Sequence, residues 1–184
     1  MIRKLLALSA VAVAVAACET PKLTLEYRTQ TIEELSGATS VNEFTFHAKD
    51  GKAQNLIPNT AAGEGVLLPE TVGQFASNAF KRELRQAGVS LKAENGCAID
   101  GEIHDILIDD LGFTVRLVFD TSYELKQNEN TLYQHREKTE LSKLTKFVAP
   151  AIFLNNLNRM FSDNFKAVLT DPQFGAALSN QCRK

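Results

Sequence analysis

The side chains with chemistry to offer are few: three cysteines, three histidines and scattered carboxylates in a chain of 184 residues. His104-Asp105 stands close to Asp109-Asp110, and a metal ion would need such imidazole and carboxylate groups to converge on one point. The stretch reads as a β-strand, in which neighbouring side chains point to opposite faces. His104 and Asp105 are therefore expected to diverge, and a solvated strand end followed by an acidic turn is the preferred reading. His47 near Asp50 and His135 near Glu137 are weaker candidates. No Gly-x-Ser-x-Gly elbow, Walker sequence, His-Glu-x-x-His pair or EF-hand loop occurs. Gly63-Glu64-Gly65 lacks the third glycine of a dinucleotide loop and does not lead from a strand directly into a helix. Cys97 has no near partner for a zinc knuckle. No catalytic residue, metal site or cofactor is assigned, and an enzyme is not expected.

Cys18 has a more informative setting. Met1–Lys4 carries two positive charges, Leu5–Val15 is apolar except Ser9, and Val15-Ala16-Ala17 closes the run with small residues. A positive start, an apolar middle and a small-residue exit make a secretory signal. The apolar run is too short to span a bilayer, which takes roughly 20 residues. Val15-Ala16-Ala17-Cys18 resembles the lipobox of bacterial lipoproteins, with Val where Leu is commoner. The resemblance implies cleavage after Ala17 and lipid on Cys18, with palmitate an expected acyl chain. Glu19 is not the Asp that holds enterobacterial lipoproteins at the inner membrane. The resemblance therefore implies a lipid anchor on the periplasmic face of the outer membrane. The chain divides into a signal peptide (1–17), a lipidated N-terminus and tether (18–40) and one domain (41–184).

Export bears on the other thiols. Cys97 and Cys182 form an even pair in an oxidising compartment and are expected to bond to each other, the alternative being two free thiols. Closing so long a loop would stabilise by about 4–5 kcal/mol in the chain-entropy model. The formal charge is −2, and losing Arg3 and Lys4 with the signal takes it to −4. Mild acidity without a basic stripe leaves nucleic acid no electrostatic footprint.

The elements that must position these residues follow from periodicity. Leu23–Arg28 and Val41–His47 are strand candidates, Phe44 and Phe46 sharing a face in the second. Thr29–Ser40 reads as irregular, and Ala48–Leu67, with Pro58, Gly63 and Gly65, as a long loop. Pro69–Ala87 is predicted as a helix with an apolar stripe of Val72, Phe75, Ala76, Ala79, Phe80 and Leu84, ended by Gly88. Strands are predicted at Ile99–Ile108, Phe113–Lys126 and Leu132–Leu141, separated by a turn at Asp109–Gly112 and a hairpin loop at Gln127–Thr131. In the central strand Phe113, Val115, Leu117, Phe119, Thr121, Tyr123 and Leu125 share one face, while polar residues dominate the other. Charge on both faces marks Leu132–Leu141 as a protected edge. Pro150–Leu169 is a second helix, stopped by Asp171-Pro172, and a helical tail over Gln173–Ser179 leads to Cys182. A sheet with one apolar face must take both helices on that face. The fold class is α+β: a two-layer sandwich of a mostly antiparallel sheet and two helices, with the Val41–His47 strand parallel to its neighbour. Phe147–Leu154 is apolar all round. It is expected to be a helix start buried in the core, the alternative being an exposed patch for a partner or lipid.

Over Leu68–Leu169 the pattern resembles small envelope lipoproteins of the YajG type and, more broadly, the auxiliary lipoproteins of ABC-type lipid transport systems. The matching features are the helix ending in Ala87-Gly88, Asp100-Gly101-Glu102-Ile103, the long strand through Val115–Leu125 and the turn before Leu132-Tyr133. The resemblance implies a non-enzymatic envelope role and carries over no catalytic residue. The expected function is a membrane-anchored binding or assembly subunit. Its partners are the membrane, through the lipid on Cys18, and another envelope protein. The alternative is a lipid carrier or chaperone, which needs an apolar pocket of a few hundred cubic ångströms or more. The large residues of the central strand suggest a filled core instead.

Overall fold

The computed structural model describes residues 25–30, 33–60, 65–92 and 94–183. Cys18, the apolar run before it and Gly63-Glu64 lie outside them. Four short strands come first: β1 (Ser40–Val41), β2 (Thr45–Phe46), β3 (Leu56–Ile57) and β4 (Val66–Leu67). Then follow α1 (Val72–Gln86), β5 (Cys97–Asp109), β6 (Thr114–Gln127), β7 (Asn130–Thr145), α2 (Pro150–Leu169) and α3 (Pro172–Gln181). Strands β5, β6 and β7 form an antiparallel meander; β1 and β2 both pair in parallel with the other edge of β5. The β3–β4 pair stands apart from this sheet. The helices take one face: α2 packs on β6 and β7, α3 on β7, and α1 on β2 and α2. The architecture is the expected two-layer α+β sandwich, and the helical tail expected over Gln173–Ser179 is the third helix, one residue longer at its start and two at its end.

Alternation and the helical stripe explain the core. On β6, Val115, Leu117, Phe119, Thr121, Tyr123 and Leu125 are all buried. They meet Leu157, Phe161, Phe165 and Val168 of α2, which are buried too. Aromatic rings fill the space between the layers: Phe119 and Phe161 lie 4.7 Å apart, and Phe80 is 5.3 Å from both Tyr123 and Phe165. Glycines let the layers close. A Cβ on Gly101 would lie 2.5 Å from the Phe44 ring, and one on Gly73 would lie 2.1 Å from the Phe44 carbonyl oxygen. Phe44 is thus seated between the sheet and the first turn of α1.

Several boundaries differ from the sequence expectation. Helix α1 starts at Val72, not Pro69, because Thr71 is its cap: its Oγ1 accepts from the Gln74 amide at 3.1 Å, and the Gln74 side chain accepts from the Thr71 amide at 3.3 Å. This capping box satisfies two amides of the helix start. Val41–His47 divides into two short parallel strands around Phe44, and the long loop contains both a 3-10 turn (Lys49–Gly51) and the β3–β4 pair. Phe113 is fully exposed instead of inward-facing. It lies before the first residue of β6, and alternation does not reveal where the ladder stops.

The largest correction concerns the N-terminal segment. Residues 25–30 form no strand, and the described residues 25–30 and 33–40 are bonded to the domain rather than standing off as a tether. Leu25 and Tyr27 are buried in the groove between α1 and α2. The Tyr27 hydroxyl donates to the buried Glu83 carboxylate of α1, and the Tyr27 ring is 5.8 Å from that of Phe165 on α2. Asn158 of α2 brackets Arg28, accepting from its amide at 2.7 Å and donating to its carbonyl at 3.0 Å. Farther on, Leu35 donates to the Ala87 carbonyl and Ala38 to that of Cys182, each at 2.7 Å. The strap runs from the N-terminal ends of α1 and α2 to the C-terminal end of α1. Irregular backbone is tolerated there because helix side chains take up its polar groups.

Candidate functional site

Cys97 opens β5 and Cys182 caps α3; their sulfurs are bonded, with Cα atoms 5.8 Å apart. The bond ties the end of the chain to the start of the meander, on the end of the domain where the strap reaches Ala38.

The histidines do not gather a metal site; no group of three or more ligating side chains occurs among the described residues. The reason differs from the one alternation predicts. The pairing register between β5 and β6 slips after Ile103, so that Asp105 rather than His104 faces Asp120. This bulge inserts an extra residue, and His104 and Asp105 both reach the outer face. His104 Nε2 lies 2.6 Å from Ser122 Oγ, while Asp105 pairs with Lys49 at 3.0 Å. Asp109 is taken by Arg116 at 2.7 Å and by Thr60 at 3.0 Å. His135 Nε2 lies 3.3 Å from Glu137. His47 and His104 flank a cleft of about 310 Å³ at the β2 edge, with Lys49, Lys52 and Leu107.

The outer sheet face, which no helix among the described residues covers, carries ordered charge. Arg136 of β7 grips Asp120 of β6 through two bonds, 2.9 and 2.8 Å long. The guanidinium holds the Asp120 carboxyl below the usual carboxylate range. Arg116, hydrogen-bonded to Asp109 and 3.7 Å from Glu140, likewise holds Asp109 low. Lys126 joins Glu124 at 2.8 Å and Asp100 at 3.2 Å. This face is drier than its composition predicts, for Val118 and Asp120 are buried among their cross-strand neighbours.

A different surface lies at the end opposite the disulfide. The large apolar side chains exposed among the described residues are Leu67 (45%), Leu111 (70%), Phe113 (101%), Phe147 (92%) and Ile152 (51%). Topology brings them to one end of the molecule. Leu111 and Phe113 occupy the β5–β6 turn; Phe147 and Ile152 follow the end of β7, which pairs with the start of β6 through Thr114↔Thr145. The β3–β4 pair bearing Leu67 is tied to the same end of β5 through Asn59↔Ile108. Lys146 clamps the turn, its Nζ donating to the carbonyls of Asp110 at 2.6 Å and Gly112 at 3.2 Å. Here the expectation of a buried Phe147–Leu154 holds only in part: Phe147 and Ile152 are exposed, Phe153 and Leu154 are half-buried against the core, and Leu157 is the first fully covered residue of the stripe. The segment was visible in the sequence as surplus apolarity, but Leu67 and Leu111 were not. Leu25, where the described chain begins, shares clefts with Pro69 and Phe75 and with Ala151 and Leu154, at this same end.

No described protein family matches the chain by sequence, and no curated protein does. Solved structures do share its fold. Protein XCC0632 from Xanthomonas campestris, of family DUF330, superposes with a TM-score of 0.61 at 10% identity, covering 84% of this chain and 93% of that one. The hypothetical protein CT253 from Chlamydia trachomatis superposes with a TM-score of 0.55 at 9% identity, covering 79% of this chain and 99% of that one. The likeness is one of fold, and the fold is one found in bacterial proteins. No helix among the described residues is long and apolar enough to cross a membrane.

Proposed function

We propose that this protein is a non-catalytic binding or assembly subunit of the bacterial cell envelope, anchored by lipid on Cys18 to the periplasmic face of the outer membrane. We place it with the YajG-type and ABC-type auxiliary lipoproteins its sequence resembles. The observation that carries the reading is the outer sheet face: three long strands, left bare by the described helices and set with ion pairs. Such a face offers a partner protein a rigid pattern of both charge signs, which favours register and specificity. The aromatic rings packed between sheet and helices weigh against a lipid carrier, since they occupy the space a chain would need.

The test has two parts. Fatty-acid labelling should mark the wild-type chain and be lost in Cys18→Ser, which should also leave the membrane fraction. Photo-crosslinkers at Gln134 and Lys138, on the outer face of β7, should each trap the same envelope protein, whereas one at Lys166 on α2 should not. Labelling that persists in Cys18→Ser refutes the anchor. Equal trapping from sheet and helix positions refutes the surface.

A further inference from the structure

We propose that the apolar end of the domain, formed by Leu111, Phe113, Phe147, Ile152 and Leu67, lies against the lipid surface and sets the orientation of the molecule on its membrane. This rests on the Cys18 anchor proposed above. Three observations favour a bilayer over another occupant. The first is where the chain enters the domain. Leu25 emerges at the apolar end, and the stretch from Cys18 to Leu25 reaches no more than about 25 Å even fully extended. A helix the length of α2 alone spans about 30 Å, so the disulfide end lies farther from the lipid than the tether is long. Held this close, the apolar end meets the bilayer at a high effective concentration.

The second observation is the chemistry of the loop. Phe113 and Phe147 are almost wholly exposed on two different segments, and exposed apolar groups gathered in one place mark interaction surfaces. The third is the satisfaction of the backbone between them. Polar backbone entering an apolar medium must find partners within the protein. Lys146 supplies them for the Asp110 and Gly112 carbonyls, and it draws the turn carrying Phe113 towards the segment carrying Phe147. With the apolar end on the bilayer, the long strands rise from the surface and the charged outer face stays in the aqueous space.

The chain has no tryptophan, so Phe113→Trp and Phe147→Trp are reporters without background, and Gln134→Trp on β7 is a control. Each acylated full-length variant would be reconstituted into phosphatidylethanolamine–phosphatidylglycerol vesicles with and without brominated acyl chains. Emission at positions 113 and 147 should shift to the blue and be quenched several-fold more by bromolipid than at 134. Equal quenching at all three positions overturns the proposal. So does a blue shift that depends on protein concentration and not on bromolipid, for then a second copy covers the end. Fatty-acid labelling of the same preparations reads the anchor separately. If the wild-type chain carries no label, the same Trp variants of Cys18→Ser mixed with the vesicles decide. Selective quenching at 113 and 147 retains the lipid-facing end without the anchor, and its absence overturns it.

Discussion

Asn164 is fully buried on α2, yet both ends of its amide are employed. Its oxygen accepts from the Tyr123 hydroxyl, and its nitrogen donates to the carbonyls of Phe119 and Glu137, each at 3.1 Å. It therefore joins the helix layer to two strands through polar atoms in a dry interior. Asn164→Leu should lower stability by about 1–3 kcal/mol through the orphaned Tyr123 hydroxyl. Adding Tyr123→Phe should return part of that loss, a coupling that a double-mutant cycle in denaturant measures. Asp120 gives a pH signature. Its pKa is lowered in the folded state, first by the hydrogen bonds from Arg136. Its contribution is thus present above the ordinary carboxylate value of 3.8 and is lost as pH falls through the lowered one. Asp120→Asn should flatten the acid limb of the stability–pH profile below about pH 4 and leave its slope unchanged at neutral pH. Residues of these two kinds were unequally legible. Phe119 and Tyr123 declare their burial by alternation, whereas nothing periodic marks a lone Asn as a layer-spanning bond.

Elements defined by repeating patterns were the ones the sequence made readable. Helix α2 has the predicted bounds, Pro150–Leu169, because Pro opens it and Asp171-Pro172 closes it. The capping box at Thr71 and Gln74 was also present in the letters, but Pro69 offered a competing start. The bulges left a trace that a strict two-residue reading passes over. Apolar residues keep one phase at Ile99 and Ile103 and the opposite one at Ile106 and Ile108, with His104-Asp105 between them, and Ser142-Lys143 likewise separates Leu141 from Leu144 where Lys143 takes a φ of 59°. The strap over α1 and α2 was invisible, because its bonds run to side chains far along the chain and have no period. One close approach makes the element scale testable. Gly101→Ala would push a methyl group into the Phe44 ring, so a loss of about 1–3 kcal/mol is expected. Phe44→Leu should relieve part of it by removing the ring. An unchanged denaturation midpoint in Gly101→Ala would mean that Phe44 is not seated on β5.

Two of the long-range ties that close the molecule bear on its stability and its making. The Cys97–Cys182 bond joins residues 85 apart in sequence, and the chain-entropy model assigns such a loop about 4–5 kcal/mol. Peptide mapping without reductant should recover the linked fragments, and Cys182→Ser should lose stability of that order. Quantitative alkylation of both thiols in the native protein would refute the bond. The apolar end shows what sequence order conceals at this scale, since Phe113 and Phe147 become neighbours only once the meander returns. The second tie, between Arg28 and Asn158, spans 130 residues, and it bears on how the chain is made. A polypeptide grows from its N-terminus, so Arg28 waits for most of the domain before its partner exists. Contacts so distant in sequence slow folding, because the ends of the intervening loop must first find each other. The hold of α2 on the strap is thus secured later than the hold of α1. Until Asn158 and Cys182 have been synthesised the strap can be held only by its bonds to α1, through Glu83 and Ala87, and the layer that α2 and α3 complete stays open.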